Sequence, residues 1–348
     1  MDHRTLPSIV STSEIALPAD LVEAARDFAR ASHAKRTQET YARWWGDFIS
    51  WCTSRGLSFL PAAPETVAVW MAGLAIGDDS RKPLARASIN QALSAVIFYH
   101  RDAGFPFDRN HRVIARTWAG ISRTKAKTDT VRKAKPLLAT DLRDIVEKLR
   151  PDIPIEARDA ALLSLGWAAA LRRSELVGLD WQQRGAGTGF VVLDERGIMI
   201  TLMISKASQD AAEQIVIPKA DMPAAYRALE IWANVAALEP GQPVFRPIDQ
   251  HGHISVVRLT GRSVARIVKV RMRRLEHRRG KTRKDAKVAV ALFSGHSMRA
   301  GYATSAAAKD IPGYRIQAHT RHKSADMVNG YIRDADRWGK SGLKGVGF

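Results

Sequence analysis

Apolar side chains recur every three or four positions along much of this chain. The segment TQETYARWWGDFISWC sets Tyr41, Trp44, Trp45, Phe48 and Cys52 at helical spacing, a stripe suited to burial, with Thr37 as the expected N-cap. A turn at 61–64 precedes a short predicted helix over 65–74. A longer one over 84–103 carries Ile89, Leu93, Val96 and Ile97 on one side, and 113–121 completes the set. The pattern predicts an all-α domain over 19–121 behind a flexible tail, 1–18, that lacks periodicity.

The pattern changes after residue 121. Residues 122–136 hold six Lys/Arg against one Asp, and Val131 is their only large apolar side chain, so an exposed basic linker is expected. Beyond it come a helix from Thr140, an apolar helix over 155–171, and three β-branched runs at 190–193, 198–204 and 214–217. The runs predict a small antiparallel sheet. The expected fold is therefore mainly α with a small antiparallel β-sheet: a helical domain, a linker, and an α+β domain over 137–348.

Composition narrows the partners. The 348 residues are 45% hydrophobic, enough for two cores, and 54 Lys+Arg against 35 Asp+Glu give a net charge of +19. Such an excess calls for a polyanion, nucleic acid first and an acidic membrane surface second. No apolar run approaches the ~20 residues of a membrane span, and the first twenty residues lack a signal-like apolar core, so a soluble cytoplasmic protein is expected. The single cysteine, Cys52, fits a reducing compartment, and no Cys/His cluster has metal-ligand spacing. Neither metal nor cofactor is expected.

The charge is not spread evenly. Residues 258–287 hold thirteen Lys/Arg against two acids. At 100° per residue Arg262, Arg266, Lys269 and Arg273 form one stripe, with Val264, Val268, Met272 and Leu275 roughly opposite, which predicts a helix offering a basic face to nucleic acid. The following stretch, 281–287, reads as a mobile basic loop. On the earlier helix Arg86, Ser88, Asn90 and Gln91 lie off the apolar side, and such side chains can meet base edges or phosphates.

The chemistry concentrates between residues 294 and 331. His296 and Arg299 stand three apart, so on a helix an imidazole and a guanidinium share one face and can converge on a phosphate. His322 follows a helix-length gap, and Tyr331 closes the segment. A tyrosine at that point is a potential nucleophile, provided cations stabilise its phenolate, since a free phenol has a pKa of about 10.

Arg172 within ALRRSEL, a lysine in a β-turn, H-x-x-R at His296 and Arg299, His322 nine residues before a tyrosine, and Tyr331 itself follow one another in the order and spacing of the tyrosine recombinase (phage integrase) signature. The resemblance covers most of the chain and is strongest to Cre-like members, in SGHS followed by Arg299 and in 329–333. It implies a two-domain clamp, with a core-binding helical domain and a catalytic domain, that recombines double-stranded DNA at inverted-repeat sites. It implies further that Arg172 and Arg299 hold the scissile phosphate and that Lys206, with Lys219 as the fallback, protonates the leaving 5′ oxygen. His296 would assist deprotonation of Tyr331, His322 would donate to the phosphate, and Glu175 would buttress the site. Arg262 takes the place of a family residue that addresses a guanine. A DNA-bound homotetramer linked by C-terminal tails, here with Leu343, Val346 and Phe348 as anchors, and passage through a Holliday junction are also implied, on the nucleoid. The alternatives are a telomere resolvase or type IB topoisomerase-like enzyme, and a DNA-binding protein that kept the fold without the chemistry. Departures from the family are Arg173 at an often apolar position, Thr320 and Arg321 in place of the common Leu-Gly, and His322 where Cre-like members have tryptophan.

Overall fold

The computed structural model describes residues 35–127, 134–203 and 212–336, together with positions 18, 20, 21, 23, 24 and 28. Two compact units divide at residue 131.

In the first unit the apolar stripes become helices: α1 (Lys35–Thr53), α2 (Pro64–Ile76), α3 (Arg86–Asp102) and α4 (Arg112–Ala126). Their core gathers Trp45, Phe48, Trp70, Met71, Ile89, Leu93 and Val96. Trp45 stacks on Tyr99 with ring centroids 4.9 Å apart, and Phe48 tilts against Trp70 at the same distance. Each such side chain, taken out of water, contributes about 1.5–3 kcal/mol. His100 ties the turn at 61–64 to this core: its Nε2 accepts from Ala62 N at 2.9 Å and its Nδ1 donates to Val96 O at 2.8 Å. Cys52 is fully buried, and desolvation pushes its thiol pKa up, so it is a packing residue.

Two boundaries differ from the sequence expectation. Thr37 lies within α1 and does not cap it. The expected linker loses its first five residues to α4, whose last turn carries Arg123 and Lys125. Cations at that end oppose the negative pole of the helix, so basic residues read as linker also suit a helix terminus.

The second unit is built around α6 (Pro154–Ala168), in which every residue from Ala157 on is buried. A helix enclosed on all sides needs partners all round. They are α5 (Ala139–Val146), α8 (Pro223–Val235) and α11 (Ser297–Ala307). The short α7 (Arg173–Val177) leads into β1 (Leu179–Trp181), β2 (Gly189–Asp194), β3 (Gly197–Leu202) and β4 (Glu213–Pro218). The three expected strands form an antiparallel meander, Ile198 opposite Ile217 and Ile200 opposite Ile215. The sheet as a whole is mixed, because β1 adds in parallel to β2, pairing Leu179 with Gly189. The three residues LDW, between Gly178 and Gln182, are too few for an alternating pattern to announce a strand.

Next come α9 (Gly261–Arg278), α10 (Arg283–Ala289), α12 (Gly313–Thr320) and α13 (Ala325–Asp336). The expected loop over 281–287 is largely α10. Thr282 caps it, its hydroxyl accepting from Asp285 N at 3.2 Å, a Thr-x-x-Asp start that the surrounding charges obscured. Arg271, on the buried side of α9, reaches Asp159 at 2.7 Å, and Arg158 reaches the same carboxylate at 2.6 Å. One of the thirteen basic residues therefore pins α9 to α6. Gly301 lets α11 approach the chain at Leu137 so closely that an added Cβ would sit 1.7 Å from Leu137 O. The contact is fixed by Leu137 N donating to Ser297 O at 2.8 Å. The start of α11, which bears the candidate chemistry, is thereby held firmly. Among the described residues no helix is long and apolar enough to cross a membrane.

Candidate active site

The site assembles on the C-terminal end of α6. The last carbonyls of a helix have no partner within it and form its negative pole, so they attract donors and cations. Here His319 contacts Ala168 O at 2.6 Å, Arg321 donates to Ala169 O at 3.1 Å, and Arg299 donates to Ala170 O at 2.9 Å. One helix end thus gathers three basic side chains from α11, α12 and the turn after it.

Arg172 enters from the start of α7. Glu175 accepts from the Arg172 backbone N at 2.8 Å and from its Nη1 at 2.5 Å, so one carboxylate both caps the helix and aims the guanidinium. Arg321 Nη2 donates to the same carboxylate at 2.9 Å, and Arg172 Nη2 donates to Arg321 O at 3.2 Å. Burial alone would raise the Glu175 pKa. The charge of Arg321 and the bonds from Arg172 outweigh it and hold the carboxyl below its ordinary range. It stays ionised and fixes both cations.

Arg299 differs from Arg172. It is 1% exposed, its hydrogen bonds go to a carbonyl and to His322 Nε2 at 3.4 Å, and its Nη2 is buried with no hydrogen-bond partner among the described residues. Burial, then repulsion from Arg172 and Arg321, lowers its pKa from 12.5 to about 10. It remains a cation at neutral pH. A desolvated guanidinium with an unused N–H is a site prepared for an anion.

His296 stands at the first position before α11, and its Nε2 lies 3.3 Å from the Tyr331 hydroxyl on α13. The contact is longer than the ~2.8 Å of a strong O–H···N bond, as catalytic contacts often are before substrate arrives. The His296 ring reaches solvent, yet the protein around it desolvates it, and Arg299, Arg172 and Arg173 repel a proton, so its pKa falls below the ordinary value. At neutral pH it is an uncharged base beside a phenol. The Tyr331 ring is half-buried against Ala303, Ala306, Ile316 and Val328, and faces His322 at 5.8 Å between centroids. His322 is itself buried, and desolvation followed by the charge of Arg299 lowers its pKa from 6.5 to about 4.

The structure thus brings together Arg172, Glu175, His296, Arg299, His322 and Tyr331. Lys206 lies outside the described residues, but both strands that flank it are in view. Glu213, the first residue of β4, has a carboxylate oxygen 3.4 Å from Arg321 Nε, so the start of β4 lies beside the site. Lys219, the fallback, is at the other end of β4, its Nζ 4.1 Å from the Tyr226 ring centroid. Arg321, in the sequence only a departure from the family pattern, is a member of this network. The signal was a residue other than glycine at a position with φ 57° and ψ 44°, visible only in the backbone.

On α9, Arg262, Arg266 and Arg273 are exposed and Lys269 is half-buried, opposite buried Val264, Val268, Met272 and Leu275. On α3, Arg86, Ser88 and Asn90 are half-buried and Gln91 is exposed. Asn90 accepts from Arg109, and Gln91 accepts from Trp44 Nε1 at 3.4 Å. Side chains so engaged are less available to bases than the pattern suggested.

Residues 135–337 match the profile of the phage integrase family. An integrase/recombinase xerD homolog of Selenomonas ruminantium is 33% identical over 311 residues, 88% of this chain and 83% of that protein. Recombinase cre of Escherichia phage P1 is 23% identical over 345 residues, 96% of this chain and 94% of its own. Among solved structures, the Tn1549 transposon integrase in complex with circular intermediate DNA has a similar fold, with a TM-score of 0.54 over 92% of this chain and 98% of that one at 14% identity.

Proposed function

The chain belongs to the phage integrase family, the tyrosine recombinases, and we propose that it cuts DNA at specific sites through a 3′-phosphotyrosine intermediate held by the residues around Tyr331. As a tyrosine recombinase it is an enzyme of site-specific recombination that breaks and rejoins DNA strands. What carries the finer reading is the Tyr331 hydroxyl 3.3 Å from a neutral imidazole, beside a buried Arg299 whose Nη2 has no partner among the described residues.

The scissile phosphate occupies the space in front of Arg172 and Arg299, whose planar forks match its non-bridging oxygens. Tyr331 attacks phosphorus while His296 Nε2 takes the phenolic proton. The bond from phosphorus to the 5′ oxygen breaks, and that oxygen leaves with a proton from Lys206. The strand stays joined to Tyr331 through its 3′ phosphate, so the energy of the ester is kept, and attack by a 5′ hydroxyl of the partner strand reverses the steps. Negative charge builds on the phosphate oxygens at each transfer, and removing one preorganised donor to such charge typically costs about 10²–10³ in rate.

Arg262, Arg266, Lys269 and Arg273 form the basic face that meets duplex DNA, and Arg262 addresses a base. Arg86, Ser88, Asn90 and Gln91 of the helical domain are the proposed contacts on that side. Two inverted-repeat sites, each holding two protomers, give a tetramer that exchanges strands in turn through a Holliday junction, acting on the nucleoid. Leu343, Val346 and Phe348, proposed to link the protomers, lie outside the described residues.

A nicked suicide duplex tests this reading. The parent protein should leave a covalent protein–DNA species on a denaturing gel, and Tyr331→Phe none, while both retard the duplex on a native gel. A protein that only binds DNA would give the same retardation and no covalent species with either.

A further inference from the structure

Thr320 is fully buried, and its hydroxyl lies 2.6 Å from the carbonyl oxygen of Ile316 and 2.6 Å from Nδ1 of His322. A carbonyl only accepts, so the single hydroxyl hydrogen goes to Ile316. The Thr320 oxygen then offers only lone pairs to His322, and Nδ1 must carry the hydrogen between them. The far side of the ring gives the same answer independently. Arg299 Nε can only donate, and it lies 3.4 Å from His322 Nε2, so Nε2 presents a lone pair. Both contacts favour one neutral tautomer, with hydrogen on Nδ1 and none on Nε2, and the 2.6 Å contact with Thr320 outweighs the 3.4 Å contact with Arg299.

We propose that Thr320 is a positioning residue for strand cleavage: its hydroxyl holds His322 as the Nδ1–H tautomer, which turns the Nε2 lone pair toward Arg299 and steadies that guanidinium before DNA arrives. The inference rests on reading the site as one that grips a phosphate. It has a chemical consequence for His322. While neutral, the ring cannot donate from Nε2 to a phosphate oxygen; it can do so only after taking up a proton there, with Nδ1–H still on Thr320. In the DNA-free protein the ring is surrounded by Arg299, His296, Arg172 and Arg321, with Glu175 behind the arginines and Tyr331 alongside, a setting that resists a further positive charge. A phosphate between Arg299 and His322 reverses that balance and draws the proton in. Leucine, common at this position in the family, could not make the contact.

The test begins without DNA. In full-length protein with 15N-labelled histidine, His322 assigned by loss of its signals in His322→Asn, nitrogen–hydrogen correlations show which ring nitrogen bears hydrogen. The expected result near pH 7 is hydrogen on Nδ1 and a bare Nε2. In Thr320→Val, which keeps the shape and loses the hydroxyl, hydrogen should shift toward Nε2, and Thr320→Ser should restore the parent pattern. A parent ring protonated at Nε2, or an unchanged tautomer in Thr320→Val, overturns the proposal. On the suicide duplex, single-turnover cleavage by Thr320→Val should fall about three- to tenfold, the worth of one buried hydrogen bond, with DNA affinity unchanged and with recovery in Thr320→Ser. Equal cleavage by parent and Thr320→Val also overturns it. Absence of cleavage by the parent itself would count against the recombinase reading, while the tautomer result would still decide the role of Thr320.

Discussion

Replacing Arg321 by glycine sets two effects of opposite sign against each other, and the structure says which wins. Arg321 sits at φ 57°, ψ 44°, the left-handed region in which a side chain costs about 1–2 kcal/mol and glycine costs little. Glycine should therefore relieve about 1 kcal/mol. Against this, the Arg321 side chain is 4% exposed and pairs at 2.9 Å with Glu175, 5% exposed; removing one partner of a buried pair typically costs about 3–5 kcal/mol. Arg172 remains on Glu175, which puts the loss at the lower end, and Glu213 adds little because its 3.4 Å contact with Arg321 Nε lacks hydrogen-bond geometry. The net expectation for Arg321→Gly is destabilisation by about 2–3 kcal/mol, roughly 4–12 °C in melting temperature for a unit of this size. Scanning calorimetry at neutral pH measures it, and Arg321→Ala serves as the control that loses the charge but keeps the strained backbone. Alanine should be about 1 kcal/mol worse than glycine. A glycine variant as stable as the parent, or more so, would refute the reasoning, since the buried network would then be worth less than the strain it imposes.

Three further outcomes follow from the site and the basic face. Because the His296 pKa lies below 6.5 in the free protein, its neutral form persists under acid, and the acidic limb of the second-order cleavage rate should fall below pH 6.5; a limb above that value would contradict the base assignment. His322 has a folded pKa of about 4 against about 6.5 unfolded, so its neutral form stabilises the fold fully above pH 6.5, and up to about 3 kcal/mol is lost as pH falls toward 4. Urea unfolding at pH 7 and 4.5 should show a larger loss for the parent than for His322→Asn, and equal losses would remove the claim. Arg262→Ala should lower cognate affinity by about 1–3 kcal/mol with little change on random duplex, as competition binding at fixed salt would show; equal losses on both would make Arg262 a phosphate contact.

Much of this was legible in the sequence because it depends on local period. The stripe from Tyr41 to Cys52, the β-branched runs that form β3 and β4, and the one-sided charge of α9 are all local features of the chain. His296 and Arg299 were legible for the same reason, and their meeting with Arg172 and Tyr331 followed from the family order. Contacts made across the chain left no such trace. Arg271 reads as one more basic residue until Asp159 is found beside it, and Gln91 as a surface amide until Trp44 donates to it. Thr320 and Arg321 occupy positions at which only the backbone dihedrals and the carbonyls of α6 reveal what the side chains do.

The proposed mechanism requires a phenolic oxygen that joins covalently to DNA. Protein trapped on a nicked suicide duplex, digested with protease and nuclease and read by mass spectrometry, should yield a single modified peptide carrying a 3′-linked nucleotide on Tyr331. A nucleotide linked through its 5′ end, or attached to any other residue, would contradict the mechanism.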